Sequence, residues 1–167
     1  MALSKIQAES MNLADTYAFS GTVSGAGGGK LLQAVTTGYV TTNTATSTST
    51  TQASMISLAI TPSATSSKIL ILCQSTMEIV AGSSGLVTSN LYRGTVSGTK
   101  IGEYYGGIIP ATSGNTSYIV VSHNILDAPS TTNSTTYTVG FAKGSGGTTS
   151  VRGHAIGRQL TLIEIGA

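Results

Sequence analysis

Two runs near the end of the chain decide the fold: Tyr137-Thr-Val-Gly-Phe-Ala-Lys143, then, after a Gly-rich tip, Gly157-Arg-Gln-Leu-Thr-Leu-Ile-Glu-Ile-Gly-Ala167. Both are rich in residues that suit a pleated surface. The second ends the chain on an apolar strand. Termini fray unless something ties them down, so this segment is expected to be stitched into a sheet or against another subunit. That expectation favours a self-assembling β-structural protein over an enzyme.

Working outward, residues 31–167 alternate short apolar runs with turn-like separators. Strands are expected at 31–41, 54–60, 68–80, 86–93, 99–104, 117–126, 135–143, 149–154 and 159–165. Between them lie Thr61-Pro-Ser-Ala-Thr-Ser66, Ala81-Gly-Ser-Ser-Gly85, Gly94-Thr-Val-Ser-Gly98, Thr112-Ser-Gly-Asn115 and Gly144-Ser-Gly-Gly147. No twelve-residue window keeps a helical period. The expected fold is all-β, an antiparallel jelly roll or β-sandwich occupying residues 31–167.

Residues 1–30 read differently. Ile6, Met11, Leu13, Tyr17, Phe19 and Val23 are spread thinly along a polar segment that ends in Gly25-Ala-Gly-Gly-Gly29. So few apolar residues cannot enclose a core. The segment is expected to be an extended arm that docks or intertwines, joined by a Gly-rich hinge. Lys30 after those glycines does not make a phosphate loop, because the Gly-x-x-x-x-Gly-Lys-Ser/Thr spacing is missing.

Composition narrows the function classes. Of 167 residues only 8% are charged, against about 25% in an ordinary globular protein. Ser and Thr make up about thirty per cent of the chain. The mean hydropathy is +0.22, so a lone copy would be poorly soluble unless apolar surface lies between subunits. The net charge of +2 comes from scattered single residues, which gives nucleic-acid binding no basic stripe to use. No stretch approaches the roughly eighteen apolar residues of a membrane span, and the N-terminus lacks the apolar region of a signal peptide. The expectation is a protein made in a cytoplasm that stays soluble, with no membrane insertion. Cys73 is the only cysteine and is expected to be a small buried hydrophobe.

Alternation also bears on assembly. In residues 68–80 the face with Ile69, Ile71, Cys73, Met77 and Ile79 is apolar, and the opposite face begins with Leu70 and Leu72. In the last strand Leu160 and Leu162 point one way, Ile163 and Ile165 the other. Strands apolar on both faces need cover on both. The expected subunit interface is therefore Leu70, Leu72, Leu160, Leu162, Ile163 and Ile165, with another copy as the cover; the alternative cover is a loop or the N-terminal arm folded over that face.

The chain resembles tail-fibre and related virion proteins of tailed bacteriophages. The resemblance rests on Met11-Asn-Leu-Ala-Asp-Thr-Tyr-Ala-Phe-Ser-Gly-Thr-Val-Ser-Gly-Ala-Gly27, Ile60-Thr-Pro-Ser-Ala-Thr-Ser-Ser-Lys-Ile-Leu-Ile-Leu72, Leu91-Tyr-Arg-Gly-Thr95, Leu126-Asp-Ala-Pro129, Thr136-Tyr-Thr-Val139 and Leu160-Thr-Leu-Ile-Glu-Ile165. It implies a homotrimer of C1q- or TNF-like jelly rolls, a place in the virion, attachment to tail or capsid proteins through the arm, and binding to host surface glycans. One departure is that only about thirty residues precede the jelly roll, without a repetitive shaft. That favours a short fibre, knob, tail-tip adhesin or head decoration.

Chemistry has few candidates. Glu103 beside Tyr104 and Tyr105 has the carboxylate-plus-aromatic look of a sugar site, and with Asn115 these form the expected ligand surface. A glycosidase needs two carboxylates about 5–10 Å apart, for which Glu103 and Asp127 are the candidates; Asp127 before Pro129 reads more simply as a turn former. His123 lies on the odd-numbered face with Ile119, Val121 and Ile125, as a hydrogen-bonded core histidine would. No His/Cys cluster has metal spacing, and no cofactor is expected. The rival readings are a capsule-polysaccharide-degrading tail protein and a free lectin-like module.

Overall fold

The structure, a computed structural model, describes residues 30–40, 46–109, 116–154 and 157–166. Most of the arm (residues 1–29) therefore lies outside the described residues, as do Asn115 and the expected loop at 112–115.

Eight strands follow one another: β1 Lys30–Thr36, β2 Thr46–Ser47, β3 Ala53–Ile60, β4 Lys68–Arg93, β5 Thr99–Ile109, β6 Thr116–Asp127, β7 Thr135–Gly153 and β8 Gln159–Gly166. All their pairings are antiparallel. The first part of β4 lies between β6 and β8, and β8 pairs with β1, giving the sheet β1-β8-β4-β6. The last part of β4 lies between β5 and β7, and β7 pairs with β3, giving β3-β7-β4-β5. Two such four-stranded sheets facing each other make the expected antiparallel jelly-roll sandwich.

One expectation needs correction. Ala81–Gly85 and Ser145–Gly147 are not turns separating strands. β4 runs unbroken for 26 residues and β7 for 19. The two stay paired from Met77↔Gly153 to Arg93↔Tyr137, with register shifts around Ala81 and Gly85 and with Gly85 opposite Gly146. The physical reason is that Gly within a strand marks a bend or bulge as readily as a reversal. Here both strands bend together and carry the ladder from one sheet into the other.

Elsewhere the turn chemistry holds. Between β4 and β5, Gly94 adopts a φ of 97° and its N–H donates to the Thr136 carbonyl at 2.7 Å. Gly98 N–H closes the turn on the Thr95 carbonyl, also at 2.7 Å.

The core sits between the sheets. Ile69, Ile71, Leu91, Tyr137, Val139, Leu160 and Leu162 are fully buried in one cluster, and Met77, Ile79, Val87, Phe141 and Val151 in a second. Each such side chain contributes roughly 1.5–3 kcal/mol by leaving water. The assignment of Leu160 and Leu162 to a subunit interface is thus corrected: both are 0% exposed inside a single copy and no neighbouring subunit can reach them. A strand apolar on both faces does not by its own pattern reveal which face points inward. Cys73 is buried as expected, and burial pushes its thiol up to about 12, so it packs as a small apolar group.

Candidate functional site

The two outer surfaces of the sandwich differ. On the β3-β7-β4-β5 side, Asn90, Tyr92, Thr138 and Ala142 are buried although they face away from the core. The chain covers them itself: Lys143 N–H donates to the Ser49 carbonyl, Gln52 Nε2 donates to Thr88 Oγ1, and Asn90 Nδ2 donates to the Tyr92 hydroxyl.

The β1-β8-β4-β6 side has no such cover among the described residues. Tyr118 is 60% exposed, Val120 56% and Leu126 53%, with Leu31, Leu32, Tyr39 and Leu72 also exposed. Register gathers the apolar residues at one end of this face. Leu70 lies opposite both Leu126 and Ile163, and Ile163 lies opposite Ala34. Leu70, Ile163 and Ile165 are half-buried in this outer layer. Of the six residues expected at an interface, the structure thus brings Leu70, Leu72, Ile163 and Ile165 onto one outer face and places Leu160 and Leu162 behind it. Tyr118, Val120 and Leu126 were missed. Their even-numbered parity along β6, opposite to Val121 and His123, was the signal that could have found them.

The expected ligand surface does not come together as a site. Glu103 is exposed and accepts a hydrogen bond from Lys100 Nζ at 2.8 Å, a surface pair of little energetic weight. Tyr104 packs, half-buried, against the second core cluster. The side chain of Tyr105 lies outside the described residues, with Asn115. Asp127 belongs to a different constellation.

That constellation closes one end of the sandwich. Asp127 Oδ2 accepts from Arg93 Nε at 2.8 Å and from the Tyr137 hydroxyl at 2.7 Å, and Arg93 Nη2 donates to Oδ1. Burial works against the Asp127 charge. The donors from Arg93 and Tyr137, with the Ala128 amide, outweigh it and hold the carboxyl below its ordinary value. Burial, with the Asp127 carboxylate beside it, pushes the Tyr137 hydroxyl upward. A second buried carboxylate, Glu164, sits one strand over from Ile69, as Asp127 does on the other side. It accepts from Gln33 Nε2 at 2.6 Å and from both the amide and the hydroxyl of Ser63 at 2.7 Å. Burial alone would raise it; the donors from Gln33 and Ser63 bring it down to about 2.

These two clusters join the short sequence pieces that carried the resemblance. Arg93, Asp127 and Tyr137 come from three of them, Ser63 and Glu164 from two more. Both carboxylates have their acceptor positions filled by donors from the fold, an arrangement that fastens strands together. His123 is buried and shares a 3.0 Å hydrogen bond between its Nε2 and Ser89 Oγ. Burial lowers its pKa, so it is a neutral core histidine at pH 7. Among the described residues no three His, Cys, Asp or Glu side chains are grouped to hold a metal ion.

No family model matches the sequence, and a search of curated proteins finds no match. Among solved structures the chain is similar to the infectious bursal disease virus VP2 subviral particle, with 11% identity and a TM-score of 0.47 over 80% of this chain and 32% of that one. It is similarly related to T=1 particles derived from infectious bursal virus, with 10% identity and a TM-score of 0.48 over 80% and 31%. The chain spans about a third of the length of those chains, and a likeness this distant carries no argument about what it does.

Proposed function

We propose that this chain is a bacteriophage virion structural protein: a homotrimer assembled through the outer face of the β1-β8-β4-β6 sheet, held on tail or capsid by residues 1–30. Its role is non-enzymatic. The jelly roll is displayed outward, where it meets host surface glycans. One observation carries this reading, the contrast between the two outer surfaces. One is covered by the chain itself, while the other leaves Leu31, Leu32, Leu72, Tyr118, Val120 and Leu126 exposed on a single sheet. Exposed apolar residues concentrated on one uncovered face in this way mark an interaction site. The resemblance of residues 11–27 and of the jelly-roll pieces to tail-fibre proteins supplies the virion context.

The test is assembly. Sedimentation equilibrium at micromolar concentration should give three copies for the full chain and one for Val120→Asp/Leu126→Asp, with the circular dichroism of the strands retained. Removing residues 1–30 should leave a trimer that no longer joins particles. A wild-type chain that stays single at that dilution, or a truncated chain that is incorporated undiminished, contradicts the proposal.

A further inference from the structure

The uncovered face is banded along its strands. At one end Leu70, Leu126 and Ile163 share a cross-strand row. At the other, Val120 lies opposite Thr76, and Tyr118 opposite Glu78, with its ring edge-on to His154 at 5.0 Å. Between these apolar ends run two rows of another character. Asn124 and Thr161 flank Leu72 in the first, and Ser122 and Gln159 flank Gln74 in the second. Together they line a depression of about 410 Å³.

We propose that this amide band fixes the register and copy number of the assembly, its occupant being the amide bands of the two neighbouring copies around the threefold axis. The inference rests on the reading that copies pack through this sheet. Two features point to a like surface as the occupant. Between Lys68 at one end and Glu78 at the other, the outward positions of β4 and the β6 and β8 residues paired with them carry no charge, so two such faces meet without repulsion. Amides and hydroxyls each donate and accept, so Gln74, Asn124 and Gln159 can be satisfied by their own kind.

The energetics then select. Apolar rows tolerate sliding, because dispersion and burial have no fixed direction. An amide shut away from water without a partner does not: each one weakens association by about tenfold. Only those arrangements in which the amide rows of neighbouring copies meet escape that loss. A single polar residue at an otherwise apolar seam fixes register and copy number in coiled coils by the same logic, at a cost in affinity.

The full chain carrying Gln74→Leu/Asn124→Leu tests this by native mass spectrometry and sedimentation over a dilution series. The wild type should show one copy number. The variant should show at least two, with its dissociation midpoint at least tenfold lower in concentration. Should the leucines prevent folding, Gln74→Ala/Asn124→Ala removes the amides without adding apolar bulk and should likewise yield mixed copy numbers. An associated wild type whose variants keep its single copy number overturns the role of the band alone. A wild-type chain that stays single overturns the association beneath it. If a neutral sugar shifts the Gln74 and Asn124 side-chain amide resonances of such a single copy, the depression belongs to a ligand and the proposal is lost.

Discussion

Replacing Glu164 by Gln should destabilise the fold by about 3 kcal/mol at pH 7, lowering the thermal midpoint by roughly 6–12 °C for a chain of this size. The side chain is fully buried and its oxygens are met by the Ser63 amide, the Ser63 hydroxyl and Gln33 Nε2. Glutamine keeps the volume but turns one oxygen into a donor pointing at donors. It also removes the charge that strengthened each bond. The damage is spread over several elements: Ser63 holds the β3–β4 connection and Gln33 holds β1, whose Nε2 also donates to the Thr61 carbonyl at 2.7 Å.

The same residue gives an acid limb. Its folded pKa is about 2, against an ordinary 4.5. A carboxyl depressed on folding contributes stability that is fully present above the unfolded value and is lost as pH falls through the folded one. Wild-type stability should therefore decline between about pH 5 and pH 2, and the slope should be shallower in Glu164→Gln. Urea midpoints measured at a series of pH values check both. An unchanged midpoint at pH 7 together with an unchanged acid slope would show that Glu164 does not fasten the sheet end.

Asp127→Asn should cost about 2–3 kcal/mol. Here the lost charge faces Arg93, whose side chain is 34% exposed, so part of the guanidinium is solvated and the ion-pair share is discounted accordingly. The remainder comes from the buried Tyr137 hydroxyl, which would face an amide that can be either donor or acceptor. Tyr137→Phe isolates that bond and should cost about 1 kcal/mol. The two losses should fall short of additive in the double variant, because they share one oxygen. Denaturant unfolding of the three variants reads this directly. The rival polysaccharide-degrading reading expects something else: loss of sugar release from Asp127→Asn with the midpoint unmoved.

Much of the fold was legible because alternation and turn chemistry are local. Seven of the nine expected runs fall within the observed strands; the run 149–154 overshoots β7 by one residue, and residues 31–41 overlap β1 only in part. The errors share a cause: they concern what a run meets elsewhere. A Gly-Ser cluster such as Ala81-Gly-Ser-Ser-Gly85 permits reversal or bending equally, and the choice was made by β7 bending alongside. Leu160 and Leu162 share parity with Glu164, and only the donors at Ser63 and Gln33, about 100 and 130 residues away in sequence, make that face the inner one. The Arg93–Asp127–Tyr137 cluster was hidden for the same reason, since its first two members stand 34 residues apart. The outer apolar face was half visible: β4 and β8 announced it, while β6 carried it in residues whose parity had been read only for the core.

The unbroken passage of β4 and β7 from one sheet to the other has a mechanical meaning. In a sandwich whose layers touch only through side chains, a sideways load is resisted by contacts that can slip past one another. Here a tug on either layer puts two covalent chains, laddered side by side, into tension. The layers cannot shear apart unless that ladder is stripped.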